Sequence, residues 1–422
     1  MTMKKNIIMT AMAAVAIPLA LLCSCSGDEY VAKVTELKLV SVNPTNGYPG
    51  EIVRILGRNF SPVASQNKVV IAGEEARILE CGRDELQIIL PEAEPGDYTL
   101  TVTSPAGTAG GLSFTYLKVP DHQYLVTTIV GQKGAYEMVD GIGTAAITKL
   151  PTGLNKAPDG SIWFTCRGYN KIRRIAKDYT VTTLADVELG SSAIWQGSFS
   201  PDGQYYYFVD KPKGMLRRMS VSDYSVTTVA SGLKSPMNCC FDADGNVYVS
   251  ARDNKAIYKF DKDNVKTTFA TLDAGPNYCK FAPNGNLIVT LNSGYKFVSI
   301  SPDGTVTDFL GTGVKPEEKS DGEPGQPLTV GIKTCFGFDF DSNGVMYISD
   351  NSYNCIRRFT PGPGLDYSTG TVETIIGSVS GYADGSGLKV KMSQPYEIMV
   401  YDDNTLYFAD TVNYLIRKVV IK

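Results

Sequence analysis

Gly344–Phe359 reads GVMYISDNSYNCIRRF. It holds a turn glycine, an apolar run, a polar turn around Asp350 and Asn351, and a second short run ending in Arg357, Arg358 and Phe359. Two β-patterned runs joined by a turn predict an antiparallel pair of strands. The same unit recurs. Tight turns APDG, SPDG, DADG, APNG and DSNG end at Gly160, Gly203, Gly245, Gly285 and Gly344, spaced 43, 42, 40 and 59 residues apart. A sixth, DDNT, ends at Thr405. A period near forty with β patterning predicts a propeller, and six turns predict six blades.

After each turn comes an aromatic-rich strand (SIWFT, QYYYFV, NVYVS, NLIVT, VMYIS, TLYFA), then a third strand (KIRRI, MLRRM, AIYKF, KFVSI, CIRRF, LIRKV). The unit G-x-[VI]-Y-[VI]-[SA]-D-x-x-N-x-x-I-R-R-F resembles the NHL repeat, best kept in the last two units. Fourth strands follow from Val181, Val226, Val265, Val306 and Val372, but the sixth unit ends at Lys422 without one. VTTIVG, from Val126 to Gly131, has the missing pattern. Pairing it with the last blade closes the ring and removes exposed edges.

Before the propeller, 34–117 alternates short strands with Gly and Pro turns, which predicts a small β-sandwich. NPTNGYPGEIVRILGRNF, from Asn43 to Phe60, followed by Val69 to Gly73, resembles the IPT/TIG immunoglobulin-like family. The resemblance implies a spacer or interaction module. The fold class is thus all-β: a sandwich over 34–117, a linker over 118–123 and a six-bladed NHL-type propeller over 124–422.

Lys4 and Lys5 precede an apolar run from Ile7 to Leu22, the pattern of a secretory signal and short for a membrane span. Leu22, Cys23 and Ser24 before Cys25 resemble a bacterial lipobox, which implies a signal over 1–24, lipidation at Cys25 and an acidic tether over 25–33. The resemblance points to the outer membrane and the cell surface. Several acyl chains on one cysteine hold firmly, whereas a single chain is marginal. The seven further cysteines show no CxxC pairing and read as buried small hydrophobes.

Composition narrows function. Forty Lys plus Arg against 44 Asp plus Glu, net −4, gives no polybasic field for nucleic acid. With one histidine, His122, neither a multi-histidine zinc site nor a Ser-His-Asp triad fits. Carboxylate chemistry, oxygen-ligated metal or binding alone remain.

Eight positions before the first five turn glycines stand Thr152, Trp195, Met237, Asn277 and Phe336, with Tyr396 equivalent in the sixth unit if its turn is taken at Asn404, and this row is expected to ring the mouth of the channel. Next inward come Gly153, Gln196, Asn238, Tyr278, Gly337 and Glu397. Flat apolar rings beside hydrogen-bonding groups are what a saccharide needs. Loops expected on the same face add Arg167, Tyr169, Lys211, Arg252, Asp253, Asn254, Asn292, Tyr295, Asn351, Tyr353, Asn413 and Tyr414. The long Asp-Gly connections before blades one, five and six are expected there too. Recurring Arg173, Arg357 and Arg417 read as structural inter-blade donors, and Trp163, Tyr248 and Tyr347 as core.

The preferred reading is non-catalytic capture of a glycan or similar nutrient for a neighbouring outer-membrane transporter. The chain resembles auxiliary binding proteins of polysaccharide-utilisation systems, an analogy of fold. Gluconolactonase-like propellers are also similar, which implies a divalent metal at the mouth. Glu397 and Asn238 are then the candidate ligands, and oxygen donors suit calcium. Protein binding through the basic loops is the third reading.

Overall fold

The computed structural model describes residues 36–117, 122–135, 137–167, 171–184 and 194–422. The chain divides between Val119 and Pro120 into two compact units.

In the first unit, Ile52–Arg58 alternates exposed and buried residues, which turns Val53 and Ile55 inward. It pairs antiparallel with Lys38–Asn43 on one side and Glu85–Ile89 on the other. Glu74–Cys81 pairs with Lys68–Ile71 through its first half and with Glu85–Ile89 through its second. That strand carries the chain between the sheets. Val69, Leu86, Ile88, Leu100, Val102 and Phe114 fill one core. Gly57 has no substitute there, because a Cβ would come within 2.4 Å of the Phe60 ring and 2.5 Å of the Lys38 carbonyl oxygen.

The second unit is six antiparallel blades of four strands each, the first and last extended by a short fifth strand, Gly141–Ile142 and Gly385–Ser386. Their first strands are Pro151–Lys156, Ile194–Phe199, Pro236–Phe241, Cys279–Phe281, Cys335–Phe340 and Pro395–Asp402. Blade six obtains its outer strand from the front of the unit: Tyr124–Val130 pairs with Leu415–Ile421, Val126 opposite Val419 and Val130 opposite Ile416. The ring closes as expected. Side-chain acceptors fix the turns between first and second strands; Asp341 Oδ1, for example, accepts the N–H groups of Asn343 and Val345 at 2.9 Å each. Mid-strand residues Phe164, Phe208, Val249, Val289, Ile348 and Phe408 are fully buried within and between the blades.

The recurring arginines are structural, but they do not join blades. Arg173, Arg357 and Arg417 are completely buried. Arg173 donates to the carbonyls of Ile147 and Val139 at 2.7 and 2.8 Å, and Arg417 to those of Lys391 and Ala383 at 2.7 and 2.6 Å. Arg357 holds Ser320 and Gly331 in the same way. The Asp of each Asp-Gly pair completes the clasp by accepting from a fourth-strand threonine: Asp140 from Thr183, Asp321 from Thr374 and Asp384 from Thr128. Each long connection is thereby pinned to the third and fourth strands of its own blade. The connections also meet the loops between second and third strands, where Thr148 donates to the Tyr414 carbonyl and Asn413 to that of Gly381, so the two sets share one face as expected.

Candidate functional site

Register fixes which loops share a face. Pro151 pairs with Cys166, Ile194 with Asp210, Pro236 with Ala251, Cys335 with Asp350 and Pro395 with Asp410. The start of each inner strand therefore lies beside the end of the second strand. Loops between second and third strands must then emerge around the same mouth.

Three of the expected rings meet there. Phe336 and Tyr396 stack with centroids 4.3 Å apart and planes 3° apart, and Trp195 leans on them at 6.3 and 6.4 Å. These residues come from blades five, six and two. The mouth is therefore covered by its own aromatics, which corrects the expectation of rings standing open around it: Trp195 and Tyr396 are each 8% exposed, and only Phe336 is partly open. Stacking on one another removes more apolar surface from water than lining a bare hole would.

Beneath the cover lies a buried polar layer. Gln196 Nε2 donates to Glu397 Oε2 and, at 2.8 Å, to the Phe336 carbonyl. Burial pushes the Glu397 carboxyl well above the usual range, opposed by hydrogen bonds from Tyr278 and Gln196. Burial likewise raises the Tyr278 hydroxyl, with the Glu397 charge adding to it. Gly337 lets this layer close, since a Cβ there would meet the Tyr396 carbonyl oxygen at 2.8 Å and Glu397 Cα at 2.9 Å. Asn238 is committed to structure: its Oδ1 accepts the Cys279 backbone N–H at 3.1 Å, linking blades three and four.

This layer does not fit a divalent metal. Glu397 Oε2 accepts from Gln196, and the Asn238 Oδ1 is taken by the Cys279 N–H. Among the described residues no group of three or more His, Cys, Asp or Glu gathers.

Above the cover the residues are cationic. The Arg167 guanidinium sits 5.3 Å from the Trp195 ring centre and 5.1 Å from that of Tyr396, and donates to the Tyr396 hydroxyl at 3.0 Å. Lys211 Nζ lies 4.8 Å from the Trp195 ring centre. Asn277, with its amide oxygen turned toward them, accepts from Arg252 Nη2 at 2.6 Å and Asn292 Nδ2 at 2.8 Å. Beside Trp195 opens a depression of about 600 Å³, lined among others by Lys211, Lys213, Leu233, Lys234 and Asp253. Among the described residues the Trp195 indole N–H finds no acceptor, a cost of about 1–3 kcal/mol for a buried donor.

The structure thus unites Trp195, Gln196, Asn277, Tyr278, Phe336, Tyr396, Glu397, Arg167 and Arg252, though as a covered cluster. Tyr353, on the loop between second and third strands of blade five, shares the face of the mouth but stands by Arg357, whose guanidinium is 5.6 Å from its ring, rather than in the cluster. Tyr414 occupies a left-handed turn whose carbonyl accepts from Thr148 at 2.7 Å. Cys25 and Tyr169 fall outside the described residues. Sequence reading missed Lys213 and Lys234, whose one available signal was their place on the strand-two to strand-three loop of blade two and on the link to blade three.

Residues 37–116 match the model of the IPT/TIG domain. No curated protein matches the chain. Among solved structures, the fold is similar to an auxiliary nutrient binding protein from Bacteroides thetaiotaomicron at 19% identity and TM-score 0.61. Another auxiliary nutrient binding protein, from Bacteroides ovatus, aligns at 16% and 0.59. A candidate phosphatase from Bacteroides thetaiotaomicron aligns at 15% and 0.62. Each alignment covers 92% of this chain and 98% of the other.

Proposed function

We propose that the protein is a non-catalytic nutrient-binding protein, lipidated at Cys25 and held at the outer cell surface, that captures a saccharide for a neighbouring outer-membrane transporter. The IPT/TIG domain serves as spacer. The ligand seats in the depression beside Trp195, not down the channel, which the Phe336–Tyr396 stack covers. The observation that carries this reading is an open space flanked by the Trp195 ring and lined by Lys211 and Lys234, with Arg167 over the same ring. Sugar C–H faces pack on rings while hydroxyls take directional partners. The two nutrient-binding relatives in fold support the class of activity, not the identity of the ligand.

Calorimetry of the mature chain against a panel of oligosaccharides tests it. Saturable binding lost in Trp195→Ala and in Pro212→Trp, which blocks the exposed rim without touching the core, supports the reading. Binding unchanged in both variants overturns the location, and no binding to any saccharide overturns the ligand class.

A further inference from the structure

The propeller pairs its fully buried arginines, and some half-buried lysines, with carboxylates. Arg173 pairs with Asp140, Arg357 with Asp350, Arg417 with Asp410 and Lys280 with Asp339, and Lys296 pairs with both Asp273 and Asp308. Half-buried Arg218, Lys333 and Lys418 stand singly, with no such partner among the described residues, whereas the mouth gathers three unpaired cations in one place. Among the described residues no carboxylate forms an ion pair with Arg167, Lys211 or Arg252, although all three are half-buried and converge on Trp195 and Tyr396. Arg252 spends a donor on the neutral amide of Asn277. Asp253, the one acid lining the depression, already accepts from the Ser235 hydroxyl.

We propose, building on the saccharide reading, that the depression beside Trp195 recognises an anionic substituent on its ligand, a carboxylate or a sulfate or phosphate ester, through Lys211 and Lys234, which line it, with the Arg252 charge acting from beside Lys211. Like charges held together at low solvent exposure repel one another. An anion seated between them relieves that repulsion and accepts the hydrogen bonds they have to offer. Burial lowers the Lys211 ammonium below its ordinary range, the Arg252 and Arg167 charges lower it further, and Asp253 offsets only part of this. Burial also lowers Arg252. Both shifts come chiefly from burial, which the single Asp253 charge beside them offsets only in part. The aromatic flank fixes the sugar ring, and the cations select which ring is accepted.

The test uses the mature chain in phosphate-free buffer and three probes: a neutral xylo-oligosaccharide, an oligogalacturonate, and a sulfated keratan oligosaccharide, which carries sulfate esters and no carboxylate. One charged probe is expected to bind at least about tenfold more tightly than the neutral one, with affinity falling as salt rises. Which charged probe wins distinguishes carboxylate from ester. Lys211→Gln and Lys234→Gln are expected to remove that preference, whereas Lys262→Gln, an exposed lysine on a turn between strands, leaves it intact. Free inorganic phosphate or sulfate that competes only with the charged probe supports the same assignment. Equal binding of all three probes, with Lys211→Gln silent, overturns the anionic preference while leaving the saccharide reading standing. Silence from every probe removes the saccharide reading itself.

Discussion

The ring of Phe336 lies parallel to that of Tyr396, 4.3 Å away across the junction of blades five and six. That contact covers the channel and seals a carboxyl, two amides and a phenol beneath it. Tyr396→Ala removes the stack and the acceptor used by Arg167. Chemical denaturation is expected to show a loss of about 3–5 kcal/mol, the range for deleting a large buried ring. A change within experimental error would mean the ring only decorates the mouth.

The sealed carboxyl makes a prediction about pH. Burial raises Glu397 above its unfolded value, so the folded state holds a proton that the unfolded chain has released over the interval between the two. The stability tied to that proton is full below pH ~4.5 and falls as pH rises toward the folded value. Glu397→Gln mimics the neutral form. Its melting temperature is expected to match the parent near pH 4 and to exceed it increasingly from pH 5 to 8. A constant offset across that range contradicts an elevated carboxyl.

The arginine clasps differ in strength in a way that can be read by mutation. Arg417 and Asp410 are both fully buried, 3.1 Å apart, and burial lifts Asp410 to about 6 despite Asn413, Ser393 and Arg417. Arg417→Met strands that carboxylate and two carbonyls, so a loss of about 3–5 kcal/mol is expected in denaturant titrations. Arg217, at 3.9 Å from Asp210 and 15% exposed, has no such clasp to lose. Arg217→Met should cost clearly less; equal losses would deny the clasp its role.

Cysteines other than Cys25 offer a check on packing. Cys166, Cys239, Cys240, Cys279, Cys335 and Cys355 are buried, whereas Cys81 is half-open. Burial raises the Cys166 thiol to about 11 and Cys355 to about 12, so neither supplies thiolate at neutral pH. A soluble chain begun at Ser26 is expected to react rapidly with a thiol reagent at Cys81 alone. The others should react only on unfolding.

How much of this was legible in the sequence divides along a physical line. The turns at Gly160 through Gly344 repeat because each blade solves the same local problem, so blade number and the closing strand at Val126 could be read directly. Counting back from those turns also reached Trp195, Phe336, Tyr396, Gln196 and Glu397, since the register of an antiparallel pair is set by its turn. What counting cannot supply is distance across the hub. Whether rings from blades two, five and six stand apart or close on each other depends on the width of the channel, and here they close. The buried clasps were harder for the same reason. Arg173 and Asp140 meet through a loop whose path has no periodic signature, and Lys213 and Lys234 join Lys211 only in three dimensions.

The central claim is that ligand is held against Trp195. The chain has two tryptophans, and Trp163 is buried in the core, so Trp163→Phe leaves Trp195 as the single indole reporter. Titrating that variant with the oligosaccharide that binds most tightly by calorimetry is predicted to give a saturable change in indole emission, at the same midpoint as the heat. Calorimetric binding with emission unchanged throughout would place the ligand elsewhere and contradict the account.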